Sequence, residues 1–129
     1  MKNFLKWFNW KEWIISFAKK AAIKVLKEKA PKLRDRVKWE IKKHGPKGID
    51  RAFDGTQKKI LALIDKVCPK WNWLKPSVKK ISNQVQMRGD VLQEKLKREV
   101  AKHGPQIIDR VFVEALSALV QAIEEIELG

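Results

Sequence analysis

Residues 43–53 read KHGPKGIDRAF, and residues 102–112 repeat them as KHGPQIIDRVF. Eight of the eleven positions are identical without a gap, at an offset of 59 residues. A repeat of this period is typical of a chain built from two copies of one supersecondary unit. We therefore predict two units, residues 1–68 and residues 69–129, which meet near Cys68 and Pro69.

Each copy of the motif has the features of a helix end followed by a new helix start. Basic residues favour the carbonyl end of a helix, glycine can take a left-handed cap, and proline suits a first helical turn. The residues assigned to these structural turns are His44, Gly45, Pro46, His103, Gly104 and Pro105. The two equivalent histidines could also form a metal pair or a pH switch, but we favour capping.

The sequence around the motifs predicts an all-α protein, because apolar residues recur at helical spacing and no segment alternates with period two. We expect six to eight helices in two tandem small bundles, with no disulfides; whether they share one core stays open. The first helix should cover about residues 4–29, and Pro31 should open the next. A break is expected at Asp54-Gly55-Thr56, with Asp54 as a helix cap and Gln57 at the capping-box position.

The charge of the chain predicts a polyanionic partner. Its 129 residues include 29 Lys+Arg and 15 Asp+Glu, a net charge of +14, and 44% are hydrophobic, too many for a disordered basic tail. Residues 1–69 carry +12 of this charge, from 19 bases and 7 acids. A single cysteine leaves no intramolecular disulfide and no Cys-rich zinc site. No catalytic set or phosphate loop stands out, so we expect no enzyme, metal or cofactor.

The six tryptophans favour an anionic membrane as that partner. An indole prefers the boundary between hydrocarbon and water, and a helix with aromatic and lysine faces can lie in a membrane interface. Trp39, inside a helix, is assigned instead to the core. The predicted membrane-binding residues are Phe4, Lys6, Trp7, Phe8, Trp10, Lys11, Trp13, Lys19, Lys20, Trp71 and Trp73.

Nucleic acid is the alternative partner. The basic residues that support it lie in one predicted helix, namely Lys32, Arg34, Arg36, Lys38, Lys42, Lys43 and Lys47. Most of the bases are lysine rather than the arginine favoured for base readout, and no nucleic-acid-binding signature is present. A third interpretation is a helical repeat protein that binds an acidic partner.

The first unit resembles the leaderless bacteriocins of the aureocin and lacticin Q type. The resemblance lies in Phe4-Leu5-Lys6-Trp7, in Gly45-Pro46, and in Lys58-Lys59-Ile60-Leu61 that follows them. It implies a saposin-like helical fold and killing of Gram-positive bacteria by membrane permeabilisation. Those proteins are single units of about half this length, and the second unit here ends acidic, with Glu124, Glu125 and Glu127.

The N-terminal residues do not have the pattern of a cleavable signal peptide. Trp13 to Ala18 is an uncharged run of six residues between Lys11-Glu12 and Lys19-Lys20, shorter than the apolar segment that a signal peptide requires. No run is long enough to span a membrane. With the resemblance, this predicts secretion by a dedicated exporter without a cleaved signal peptide. The oligomeric state is not predicted.

Overall fold

The computed structural model describes the backbone of residues 2–126 and the side chains of residues 10–126. Five α-helices follow one another along this part of the chain: α1 (Lys2–His44), α2 (Gly48–Phe53), α3 (Thr56–Val67), α4 (Lys75–His103) and α5 (Ile108–Glu124). Residues 2–126 contain no β-strand, which confirms the all-α class. The expectation of six to eight helices is wrong. Three long helices, α1, α4 and α5, contain most of the described residues.

Helix α1 is longer than predicted because it continues through Pro31. Proline removes one backbone hydrogen bond inside a helix and frees the carbonyl four residues earlier, here that of Lys27. Both Lys27 and Pro31 are exposed, so water can bind that carbonyl. The predicted division of this segment into two helices is therefore wrong. Helix α4 is also continuous and contains Gly89 in its interior.

The two repeated motifs form the predicted turns. Gly45 and Gly104 have positive φ angles, 69° and 82°, directly after the last turns of α1 and α4. A short 3-10 turn begins at Gly45 in the first unit (Gly45–Lys47) and directly after Gly104 in the second (Pro105–Ile107). The motif thus reverses the chain in both units, so that α2 returns against α1 and α5 against α4.

The break between α2 and α3 lies where the sequence predicted it, but its cap differs. Gly55, with φ 78°, precedes α3, and no side chain caps this helix. Asp54 and Gln57 therefore do not form the expected capping box. Gln57 instead donates a hydrogen bond from Nε2 to the backbone oxygen of Gln86 in α4, at 3.0 Å.

One hydrophobic cluster, the motif-end core, is built from equivalent residues of the two units. Six buried residues of the first unit have partners exactly one repeat later, and five of those partners are buried while Leu92 is half-buried. The pairs are Leu33 and Leu92, Val37 and Leu96, Ile41 and Val100, Ile49 and Ile108, Ala52 and Val111, and Phe53 and Phe112. The two units therefore pack against each other as approximate copies.

A second cluster, the tryptophan-end core, also crosses the boundary at residues 68 and 69. It joins the first half of α1 to α3, α4 and the end of α5; its fully buried members include Ala18, Ile64, Leu74, Ile81 and Ile123. Hydrophobic packing therefore does not divide into two tandem bundles, although the boundary falls in the connection between α3 and α4. An apolar cavity of about 60 Å³ remains among α1, α3, α4 and α5.

Two exposed ion pairs connect the two units near the motif-end core. Their residues are related by the same offset as the sequence repeat. Lys97 Nζ lies 2.6 Å from Asp50 Oδ1, and Lys38 Nζ lies 2.7 Å from Asp109 Oδ1. Lys97 is the equivalent of Lys38, and Asp109 the equivalent of Asp50, at the offset of 59. Each aspartate of the repeated motif thus binds a lysine of the other unit.

Candidate membrane-binding surface

Three tryptophans from opposite halves of the sequence meet at one end of the molecule. Trp10 of α1 stacks on Trp71 with ring centroids 5.7 Å apart, and Trp73 lies 5.9 Å from Trp71 and 6.1 Å from Trp10. Trp71 and Trp73 belong to the connection between α3 and α4, which is held here because Leu74 is fully buried in the tryptophan-end core. Trp10 is 46% exposed and Trp71 45% exposed.

A second aromatic pair extends this surface along α1. Trp13, 65% exposed, stacks on Phe17, 50% exposed, with ring centroids 6.1 Å apart. We call Trp10, Trp13, Phe17, Trp71 and Trp73 the aromatic cluster. Soluble proteins rarely leave several large aromatic side chains exposed side by side, and such patches mark contact surfaces.

A row of lysines continues from the aromatic cluster along the same side of α1. Lys20, Lys24 and Lys27 are exposed and follow Phe17 at alternating spacings of three and four residues, which places them on one helical stripe. Long lysine side chains can cover apolar surface while the ammonium stays in water. The arrangement presents aromatic rings at one end and positive charge along the helix.

The remaining predicted membrane-binding residues have different positions. Phe4, Lys6, Trp7 and Phe8 lie in α1, but their side chains are outside the described residues. Lys11 Nζ lies 5.3 Å from the centre of the Trp73 ring, a cation–π distance. Lys19 points away from the cluster and donates hydrogen bonds to the carbonyl oxygens of Glu124 and Ile126, at the end of α5.

The assignment of Trp39 to the core is wrong, because this residue is 51% exposed. The ammonium of Lys43 lies 4.2 Å from the centre of its ring. Trp39 lines a groove of about 670 Å³ between α1 and α3. The sequence did contain a signal for this site, since Lys29, Lys32 and Arg36 recur at helical spacing just before Trp39.

The two histidines lie at the predicted turns and have close partners. Arg51 Nη1 is 2.9 Å from His44 Nε2, and because a guanidinium can only donate, this histidine nitrogen accepts. His44 Nε2 also lies 3.7 Å from Glu40 Oε2, and His103 Nε2 lies 3.6 Å from Glu99 Oε2. Within residues 10–126 no group of three His, Cys, Asp or Glu side chains could hold a metal ion.

Several bases of the helix that supported the nucleic-acid interpretation form ion pairs with carboxylates of the protein itself. Arg34 and Lys38 both approach Asp109, at 3.6 Å and 2.7 Å, and Arg36 Nη2 lies 3.9 Å from Glu40. These contacts lower the local positive charge, so this segment offers fewer bases to a nucleic acid than the sequence suggested.

Cys68 lies inside the tryptophan-end core and is 3% exposed. Burial, and to a lesser degree the nearby charge of Asp65, raises the pKa of its thiol to about 11. A thiol with such a pKa is almost wholly protonated at neutral pH, and the thiolate is the reactive form. Cys68 is therefore a packing residue in the closed structure.

Comparisons of the chain with protein-family models, with curated proteins and with solved structures find no match. Among the described residues, no helix has both the length and the apolar character to cross a bilayer. What the protein does must therefore be inferred from its own surface.

Proposed function

We propose that this is an antibacterial protein that permeabilises anionic bacterial membranes, secreted through a dedicated exporter and related in kind to the leaderless bacteriocins. The aromatic cluster is the observation that carries the proposal. Two distant parts of the chain expose their tryptophans to solvent at one place, next to the lysine row. A protein that needed these rings only for stability would bury them.

Electrostatic attraction supplies the first step of the proposed mechanism. Each lysine near an anionic membrane surface contributes about 1 kcal/mol before screening. Lys20, Lys24 and Lys27 are exposed and, among the described residues, have no carboxylate partner. They bring α1 to the headgroups, where the aromatic cluster can reach the interface.

Insertion of the aromatic cluster supplies the second step. Indole rings are favoured at the level of the glycerol and headgroups, where their apolar body and N–H group are both accommodated. Leakage then requires the helices to separate, so that the apolar sides of α1, α3 and α5 face lipid instead of each other. The protein is not cross-linked by a disulfide, so nothing covalent prevents this opening.

Dye release from vesicles tests the proposal. The protein should release dye from phosphatidylglycerol vesicles at submicromolar concentration and leave phosphatidylcholine vesicles sealed. In the double variant Trp13→Ala/Trp71→Ala, the concentration for half-release should rise at least about tenfold, because two exposed rings no longer leave water. The matched control is Val91→Ala/Val113→Ala, which truncates two side chains of 59% and 66% exposure outside the aromatic cluster.

The control variant should release dye at the wild-type concentration and both variants should fold. Phosphatidylglycerol vesicles that stay sealed at micromolar protein would show that permeabilisation is not the function. An equal loss in the two double variants would show that general surface hydrophobicity, and not the aromatic cluster, drives release.

A further inference from the structure

The groove beside Trp39 is a second cationic surface that the proposed mechanism does not use. Four basic side chains line it, Lys29, Lys32, Arg36 and Lys59, and no carboxylate is among its lining residues. Of these four, only Arg36 has an acidic partner within the described residues, and that contact to Glu40 is long, 3.9 Å. The groove therefore concentrates positive charge that the protein itself leaves almost unneutralised.

The walls of the groove are amphipathic. Leu33 and Ile60 form its buried floor, Leu63 is half-buried, and the half-exposed ring of Trp39 also lines it. A ligand that fits must have an anionic group for the lysines and an apolar part for this floor. The volume of about 670 Å³ lies within the range of small-molecule sites.

The internal repeat conserves only part of this groove. One repeat later, the positions of Lys32, Lys59 and Leu63 are occupied by Val91, Ala118 and Ala122. The buried residues of the motif-end core keep their apolar character between the units, whereas only two of the four groove bases are matched by a base, Lys29 by Arg88 and Arg36 by Lys95. The full set of four bases is therefore found only in the first unit, where closely placed positive charges favour an anionic ligand.

We propose that this groove binds the phosphodiester headgroup of an anionic glycerophospholipid, with Trp39 against the glycerol and upper acyl chain. A lipid is chosen over a soluble phosphate because the proposed function already brings the protein to an anionic bilayer, so the site rests on that function. Nucleic acid fits less well, because the bases surround one amphipathic pocket rather than follow an extended track.

The position of the groove also fixes how the protein lies on the membrane. Trp13 and Trp39 are 26 residues apart in one helix, which is about 39 Å along the axis and about 80° around it. Both residues can meet the same bilayer surface only when α1 lies nearly parallel to it.

NMR of the full chain with short-chain dihexanoyl phosphatidylglycerol, below its micelle concentration, tests the headgroup site. The readout is the indole N–H signal of Trp39, assigned with Trp39→Phe. We expect a saturable shift of this signal, and an apparent Kd at least about fivefold higher in Lys32→Gln/Lys59→Gln. The control Lys47→Gln/Lys102→Gln removes the same charge from exposed positions outside the groove and should change the Kd less than about twofold.

Several other results would overturn the headgroup site. A Trp39 signal that does not move, or an equal loss of affinity in the two double variants, would show no local recognition. A stronger response to glycerol 3-phosphate or to a single-stranded oligonucleotide would assign the groove to a soluble phosphate or to nucleic acid. If the wild-type protein releases dye but its Trp39 signal does not move, the groove proposal alone is refuted. If the Trp39 signal shifts but no dye is released, permeabilisation alone is refuted.

Discussion

Gly48 determines how closely α2 can approach α1. It is buried, and a Cβ atom at this position would lie 2.4 Å from the backbone carbon and oxygen of Glu40 and 2.7 Å from the nitrogen of Ile41. Backbone atoms inside a long helix cannot move aside individually, so the two helices would have to separate. We expect Gly48→Ala to lower the free energy of unfolding by about 2 kcal/mol or more, measured by urea denaturation.

Gly89 offers the matched control for Gly48. The three atoms nearest to a Cβ there all belong to the amide end of the Gln57 side chain, the closest at 2.6 Å, and that flexible end can rotate away. Alanine also stabilises a helix interior by about 0.5–1 kcal/mol relative to glycine. Gly89→Ala should therefore change the free energy of unfolding by less than about 1 kcal/mol. A similar large loss in both variants would contradict the close approach at Gly48.

The two reciprocal ion pairs connect helices of different units, α4 with α2 through Lys97 and Asp50, and α1 with α5 through Lys38 and Asp109. The hydrogen bond from Lys97 holds the pKa of Asp50 below its ordinary value, and the hydrogen bond from Lys38 does the same for the pKa of Asp109. A carboxyl with a lowered pKa stabilises the fold above its ordinary pKa and loses that contribution as the pH falls through its folded pKa. Since both pairs are exposed, the contribution is small.

Carboxyl titration by NMR checks this assignment residue by residue. Lys97→Gln should raise the pKa of Asp50 toward its ordinary value and leave that of Asp109 unchanged, while Lys38→Gln should do the reverse. The internal symmetry makes each variant the control for the other. If either substitution shifts both aspartates equally, the lowered pKa values come from the overall positive charge of the protein rather than from the two pairs.

The sequence predicted the elements that depend on local signals and missed those that depend on packing. Gly45 and Gly104 were identified because a left-handed cap has a local residue preference. The continuous α1 was missed because the helix packs into a hydrophobic core on each side of Pro31, which keeps both parts in line. The exposed Trp39 and the partners of Asp50 and Asp109 were missed because they depend on how the two units meet, which helical periodicity within one segment does not specify.

For the molecule as a whole, the shared cores determine which contacts the proposed membrane insertion would have to break. Neither half of the sequence completes the tryptophan-end core alone, since α1 and α3 cover one side of it and α4 and α5 the other. Opening at this end would separate the units next to the aromatic cluster while the motif-end core and its two ion pairs still join them. The turn motifs would then act as the hinge end of the opened protein.

Cys68 can report this opening, because its thiol is buried in the tryptophan-end core that both units build, with Sγ 3.8 Å from the carbonyl oxygen of Ala18. In solution at pH 8, burial and a pKa of about 11 should make Cys68 react with a thiol reagent at least about tenfold more slowly than in the urea-unfolded chain. Phosphatidylglycerol vesicles should raise the labelling rate toward the unfolded value, while phosphatidylcholine vesicles should leave it unchanged. If the vesicles leak while Cys68 stays as slow as in solution, the protein permeabilises membranes with its tryptophan-end core closed, and the opening step is wrong.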